Sequence, residues 1–438
     1  RATSFLAISS YMSAAPLNPN YKSEEFEFYL EDLKPKIVVV EKNSKNPVVE
    51  VANKLKIPVC EIKSDGNTLS GDFNLFEKSS DYVLPGEDHE ALVLHTSGTT
   101  SRPKIVPLTN KNIFSSADNI SKSLNLTDKD HCLNIMPLFH IHGLIAVLAA
   151  SMKVGASVCA SSGFNALKFL DNAKREKITW YSGVPTMHQA ILMRADKNLE
   201  TAKQLNLRFL RSSSASLPPA VFEKLNEVFN CPVIEAYGMT EATHQMTSNP
   251  LPPKSQKPGF VGIPAGPEVC IMDNNNKILN QGEEGEVCIK GENVTSGYEN
   301  NPDANKNSFS DGWFRTGDQG YFDKDGYLKI SGRLKEIINK GGEKISPLEV
   351  DNILMDHPNI EQAVCFGYED KMLGEDIATA IIIKEGMQCT EDDIKIYANE
   401  KLAKFKIPKK IFFVNEIPKG ATGKLQRNTL AKKFGLVN

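Results

Sequence analysis

No apolar stretch in the 438 residues approaches the roughly 20 needed to cross a bilayer, and neither end carries a signal-peptide pattern; a soluble globular chain is expected. Basic blocks are missing as well. The 51 Lys and Arg are dispersed among 54 Asp and Glu, for a net charge of -3, which argues against a dedicated nucleic-acid binder. There is no Cys-x-x-Cys pair. The eight cysteines (Cys60, Cys132, Cys159, Cys231, Cys270, Cys288, Cys365, Cys389) are scattered without adjacent His ligands, so they read as reduced thiols of an intracellular protein rather than a disulfide framework or a zinc site. Internal repeats, low-complexity tracts and the G-x-x-x-x-G-K-[ST] spacing of a Walker A loop are also absent. The chain starts at Arg1 without methionine, inside an amphipathic pattern (Phe5, Leu6, Ile8, Tyr11, Met12). We therefore expect a fragment whose missing first segment completes part of the first sheet layer.

What is present starts with Thr96-Ser97-Gly98-Thr99-Thr100-Ser101-Arg102-Pro103-Lys104, directly after apolar Ala91–Leu94. A strand emptying into hydroxyls, a glycine and a lysine offers N–H groups, O–H groups and a cation to phosphate oxygens. Such clusters also mark ordinary surface loops. Around this run, helix patterns alternate with short apolar runs: Ser23–Leu33 before Ile37–Val40, and Val48–Leu55 before Ile57–Ile62. That alternation predicts βαβ units and a largely parallel sheet. Further helices are expected at Asn110–Leu124 and Gly143–Met152, and strands at Cys132–Met136, Thr179–Ser182, Phe209–Arg211 and Val233–Glu235. From about Gly259, short strands and turns suggest an antiparallel subdomain. After Gly332, helices Pro347–Asp356 and Glu391–Leu402 alternate with strands Gln362–Phe366 and Ala378–Ile383, as in a small α+β domain.

Four more constellations carry chemistry. Tyr237-Gly238-Met239-Thr240-Glu241 combines an aromatic face for a purine, a tight turn, a hydroxyl and a carboxylate able to hold Mg²⁺, although such a motif also serves as a plain strand-end turn. Trp313-Phe314-Arg315-Thr316-Gly317-Asp318 ends in an aspartate that could accept both hydroxyls of a ribose or simply cap a turn. Gly332-Arg333-Leu334-Lys335, running on to Lys340-Gly341-Gly342, sits at the texture change and is compatible with a hairpin or a hinge. Pro418-Lys419-Gly420-Ala421-Thr422-Gly423-Lys424 presents a lysine on a glycine-flanked loop, a setting in which most lysines are merely solvated.

In this order, from Ala15 onward, the motifs resemble the ANL superfamily of adenylate-forming enzymes: acyl-CoA synthetases, peptide-synthetase adenylation domains and luciferases. The resemblance implies an α/β fold with a large N-terminal domain of mixed and parallel β-sheets with helices plus a β subdomain (1–334), and a small mobile α+β C-terminal domain (335–438). Carried onto this chain, it makes Thr96, Ser97, Gly98, Thr99, Thr100 and Lys104 the phosphate loop, with Thr99 or Thr100 at the β- and γ-phosphates. Tyr237 and Gly238 would border adenine with Ser214 and Ala215, and Thr240 would contact the α-phosphate. Glu241, with Thr99, would hold Mg²⁺, Asp318 and Arg333 would grip the ribose, Lys335 would be the hinge and Lys424 the catalytic lysine. Lys340, Gly341 and Gly342 would line the path of coenzyme A. Many members carry glycine where Ser101 stands; phosphate binding is expected to survive this departure.

Within the superfamily, Ala15–Tyr21, Met136–Gly143, Arg211–Ser216, Glu241–Met246 and Gly341–Pro347 are most similar to the oxalyl-CoA synthetase (oxalate-CoA ligase) group. Chemistry agrees, since a small dianion needs donors where a fatty acid needs an apolar wall, and His140 with Ser212 and Ser213 could supply them. The neighbouring stretch Ser214–Ser216 could instead border adenine. The resemblance thus implies an ATP-, Mg²⁺- and CoA-dependent ligase acting on oxalate. Alternatives are another short dicarboxylic acid such as malonate, a medium-chain fatty acid, or a non-catalytic nucleotide-binding adaptor. The C-terminal Gly435-Leu436-Val437-Asn438 is not a Ser-Lys-Leu peroxisomal address, so the cytosol is expected.

Overall fold

The computed structural model describes residues 2–62, 84–96, 103–420 and 422–436. Ser97, Gly98, Thr99 and Thr100 of the expected phosphate loop, with Ser101 and Arg102, lie outside them. The main sheet is 7-stranded. Its parallel part runs, in spatial order, Ser157–Ala160, His131–Asn134, Trp180–Gly183, Phe209–Ser212 and Val233–Met239, and antiparallel His244–Ser248 and Ile263–Pro264 close one edge. Alternate side chains fill opposite faces, as the pleat requires. Trp180, Phe209 and Ile234 enter one buried cluster, Tyr181, Leu210 and Val233 another. The second is covered by helices Ala166–Glu176, Pro185–Ala195 and Pro219–Phe229, so both faces are buried, as expected for parallel strands.

A separate 5-stranded sheet joins Glu268–Met272, Gly285–Lys290, Trp313–Phe322 and Phe309–Ser310 in antiparallel order, with Leu328–Arg333 paired to the long Trp313–Phe322 strand. The C-terminal sheet joins Glu343–Ile345, Ile338–Lys340, Gly374–Ile383 and Ile360–Asp370, with Lys410–Phe413 parallel to Gly374–Ile383. Helices Pro347–Met355 and Glu391–Lys401 pack on it, the latter capped by Thr390, which accepts from the Asp393 amide at 3.2 Å.

Two local features differ from the sequence expectation. The helix expected at Asn110–Leu124 is present as Asn110–Ser123, but an unexpected strand, Lys104–Thr109, precedes it and pairs antiparallel with Glu90–Thr96, Thr96 opposite Lys104. Its Lys-Ile-Val-Pro-Leu-Thr sequence buries Ile105, Val106 and Leu108, a strand pattern that the following helix, Asn110–Ser123, obscured. Second, His142–Ala149 is a π-helix, continued by α-helical Ala150–Lys153. Gly143 is needed there because an added Cβ would lie 2.5 Å from the Pro137 carbonyl oxygen.

Candidate active site

In open parallel sheets ligands bind beyond the carboxyl ends of the strands. Here those ends deliver the singled-out residues. His131–Asn134 leads to His140, Trp180–Gly183 to Thr186, Phe209–Ser212 to Ser213 and Ser214, and Val233–Met239 to Thr240 and Glu241. The 5-stranded sheet brings Asp318 opposite Arg333, and the Pro418–Lys424 loop brings Lys424 against the same region.

Around Asp318 and Glu241 the groups are matched. Asp318, buried, takes an ion pair from Arg333 Nε at 3.1 Å and a hydrogen bond from the Tyr237 hydroxyl. Tyr237 lies on the strand Val233–Met239 itself rather than after a shorter one. Gly238 has a steric reason: the backbone of His244 crosses it, and a Cβ would sit 2.0 Å from the His244 carbonyl oxygen. Thr240 opens a 3-10 turn, Thr240–Ala242, which presents the buried Glu241. Glu241 Oε1 accepts from the Tyr298 hydroxyl at 2.8 Å, and the Lys104 ammonium lies 4.1 Å over the Tyr298 ring. Burial raises the Glu241 carboxyl and lowers the Lys104 ammonium, each countered by the opposite charge of the other.

Lys424 lies half-buried in a tight loop. The Gly420 amide donates to the Lys424 carbonyl at 2.7 Å, Gly423 has φ +83°, and Lys419 bridges to Leu425. Burial and then Arg333 push the ammonium down to about 8, while Asp318 and Glu241 hold it up. Three residues on, Arg427 ties the segment to its own unit through Asp351 at 2.6 Å, Glu336 at 3.2 Å and the Cys365 carbonyl.

Around Arg211 and His244 the groups are unmatched. Arg211 is fully buried, donates to Gln245 Oε1 at 3.1 Å and to Ser182 Oγ at 3.4 Å, and leaves Nε without an acceptor. Among the described residues no carboxylate pairs with it, and burial lowers it to about 9. His244 is buried with both ring nitrogens unpartnered, at φ +97°, a left-handed conformation rarely adopted by a bulky residue. Its ring centroid lies 4.9 Å from that of His142, whose Nδ1 meets Ser214 Oγ at 3.0 Å and whose Nε2 meets Ser182 Oγ at 2.6 Å. His140 Nδ1 accepts the His142 amide at 3.2 Å, so the neutral ring carries its proton on Nε2. Burial and Lys424 lower His140 to about 3. Ser212 Oγ is buried and unpartnered, whereas Ser213 donates to the Ala236 carbonyl at 2.8 Å and spends its proton on the backbone. Ser214, at φ +73°, faces His142, and Ala215 is exposed.

Of the remaining sites, Lys335 lies near enough to Lys104 for the two like charges to repel. Lys335 is exposed in the turn between Arg333 and Ile338. Gly341 and Gly342, at φ +60° and +97°, form the two-residue turn of the Ile338–Lys340 and Glu343–Ile345 hairpin, which demands glycine. The Lys340 ammonium is bound to Asp376 at 2.6 Å rather than to any residue of the Lys424 cluster. Sequence reasoning passed over Arg211 and Gln245 as ligand-facing groups. The run Arg211-Ser212-Ser213-Ser214 after an apolar strand was the available signal, because a charge at a buried strand end is unusual.

Residues 3–299 match the AMP-binding enzyme family and residues 349–424 the AMP-binding enzyme C-terminal domain. The oxalate–CoA ligase of Arabidopsis thaliana is 48% identical over 98% of this chain and 85% of its own length. That of Saccharomyces cerevisiae is 44% identical over 96% and 82%. An ATP-bound crystal structure of MatB from Rhodopseudomonas palustris superposes with a TM-score of 0.87 at 29% identity, covering 96% of this chain and 83% of that one. The chain belongs to the AMP-binding enzyme family of adenylate-forming acyl-CoA synthetases.

Proposed function

We propose that this protein is an ATP-dependent, AMP-forming acid-CoA ligase whose acid is oxalate. The observation that carries the acid is the buried, unpaired Arg211 beside the unpartnered nitrogens of His244 and the unpartnered Ser212 hydroxyl. A buried cation without a counter-ion, ringed by idle donors, is costly unless an anion completes it. A small acid that presents one carboxylate to ATP and a second to this layer does so; a fatty chain would leave the cost standing. Oxalate, with two carboxylates on adjacent carbons, matches the names of the two ligases above. His140 Nε2 and Ser212 would donate to it, with Arg211 setting the potential.

In the first half-reaction a carboxylate oxygen attacks the α-phosphorus, its P–O bond forms as the bond to pyrophosphate breaks, and acyl-adenylate results. Lys424 and Lys104 neutralise the charge that gathers on the phosphates, and a well-placed donor of this kind is worth about 10²- to 10³-fold in rate. Tyr237 would stack on adenine with Gly238, Ser214 and Ala215 beside it, Thr240 would meet the α-phosphate, and the spare lone pairs of Asp318, with Arg333, would hold the ribose. In the second half-reaction the CoA thiol attacks the carbonyl carbon and AMP leaves.

The donor set fits Mg²⁺, which binds one or two carboxylates together with substrate phosphates, because the Glu241 carboxylate, engaged at Oε1 by Tyr298, has further lone pairs to give. Glu241 would hold the ion, with Thr99 completing the set from the loop; once bound, it screens the phosphate charge. We place the boundary of two units at Lys335, 1–334 and 335–438. Supporting this, the last strand of one sheet ends at Arg333 and the first of the next begins at Ile338. Gly341 and Gly342 would border the pantetheine path with Lys340 once Lys424 withdraws.

The test is pyrophosphate release with ATP, Mg²⁺ and CoA against oxalate, malonate, acetate, octanoate and coumarate. Release selective for oxalate, with oxalyl-CoA as product, is expected. Release with octanoate or coumarate and none with oxalate would keep the ligase chemistry and overturn the acid. Silence with every acid would overturn both.

A further inference from the structure

Helix Pro185–Ala195 begins just past the carboxyl end of strand Trp180–Gly183, at the rim of the site. Pro185 fixes its first turn and leaves Thr186 at the second helical position. The Thr186 hydroxyl donates to the Gly423 carbonyl at 2.9 Å, across 237 residues of sequence. That carbonyl belongs to the peptide group whose nitrogen is Lys424. One hydrogen bond therefore fixes the plane from which the Lys424 side chain departs.

The surroundings allow little slack. A Cβ on Gly423 would lie 3.2 Å from both Thr186 Oγ1 and Val184 Cγ2, so the loop rests directly on the start of the helix. One turn further along the same helix face, Gln189 Oε1 accepts from Gln362 Nε2 of the C-terminal sheet at 3.3 Å. The loop's own hydrogen bonds, and Arg427 behind it, set Lys424 relative to the C-terminal unit. They do not set it relative to the main sheet. Thr186 does.

We propose that Thr186 is a positioning residue for the first half-reaction, which holds Lys424 at the phosphates through the Gly423 carbonyl. This rests on the ligase reading above. If Thr186 acts only through Lys424, its removal must cost nothing where Lys424 is already gone, a condition that a merely structural residue does not meet.

The experiment is oxalate-dependent ATP–pyrophosphate exchange by the full-length protein, with enzyme in excess over ATP so that slow variants are readable. The chains compared are the natural one, Thr186→Val, Thr186→Ala, Thr186→Ser, Lys424→Ala and the double variant Thr186→Val/Lys424→Ala. Loss of one such hydrogen bond is expected to slow exchange by about 10-fold in Thr186→Val and Thr186→Ala. ATP affinity, from equilibrium titration, should move less than about 2-fold, because the lysine acts on charge that develops during reaction. Thr186→Ser should restore the rate to within about 2-fold, and in the Lys424→Ala background Thr186→Val should cost less than about 2-fold. Equal losses in both backgrounds, a loss that serine does not relieve, or full activity of both donor-less variants overturns the proposal while leaving the ligase reading intact. Absence of exchange in the natural chain overturns the ligase reading and this proposal together.

Discussion

The two halves of the site differ in how their charges are met. Around Asp318 and Glu241, where the proposed nucleotide would lie, the carboxylates have protein partners among the described residues: Asp318 has Arg333 and Tyr237, and Glu241 has Tyr298 with Lys104 over its ring. On the acid side Arg211 and His244 are buried with idle polar atoms. A matched set is held in place before its ligand arrives, which is what a site for a large, many-handled molecule needs. An unmatched set stores the cost of a buried charge and returns it to the one ligand that supplies the counter-charge. On the proposed reading, the nucleotide half would work by preorganisation and the acid half by selectivity.

That contrast can be broken at several points. The largest effect should come from Lys424→Ala, which removes the positive group proposed to meet the phosphates: acyl-adenylate formation, read as pyrophosphate release, is expected to fall by about 10²- to 10³-fold. Arg211→Met should follow. Oxalate turnover is expected to fall by about 10²-fold, as when one member of a buried charge pair is removed, yet the melting temperature should stay level or rise, since an unpaired buried charge has gone. A variant that loses activity because it unfolds would contradict the unmatched-charge account.

The third effect is in pH. In its proposed role Lys424 acts as a cation, and burial with Arg333 lowers it to about 8 in the free protein. The kcat/KM for ATP, which reports the free enzyme, should therefore decline as pH rises through about 8 and keep falling about tenfold per unit. A profile flat to pH 10 would contradict it. The smallest effect is on stability in acid. His140, His142 and His244 are all held below the ordinary histidine value by burial. The unfolded chain thus takes up protons that the folded one refuses, and stability should be full above about pH 6.5 and decline as pH falls below it. Thermal melts from pH 7.5 to 5 check this, and His244→Asn should flatten the slope.

How much of this was legible in the sequence followed the range of the interactions. Tyr237 to Glu241, Asp318, Arg333 and Lys424 stand in short local motifs whose chemistry survives without knowledge of the fold. The boundaries of helix Ser23–Leu33 were read correctly because its apolar spacing and acidic first turn are local too. The strand Lys104–Thr109 was missed, since its partner lies across the phosphate loop and its pattern merges into the helix behind it. Ser213 looked equivalent to Ser212; only the pairing of Phe209–Ser212 with Val233–Met239 shows that one hydroxyl is tied to Ala236 and the other is idle. The sequence shows Arg211 as part of a motif but not as a charge in need of a partner. Whether a buried cation has a carboxylate beside it is decided by strands far apart in sequence. The same holds for Thr186 and Gly423, which are 237 residues apart.

The most direct measurement of the central claim is the ratio of kcat/KM for oxalate to that for acetate, taken in the natural protein and in Arg211→Met. If the unmatched layer reads the second carboxylate, the ratio should be high in the natural protein and collapse by at least about tenfold in the variant, through loss on oxalate alone. Equal losses on both acids, with the ratio unchanged, would contradict it.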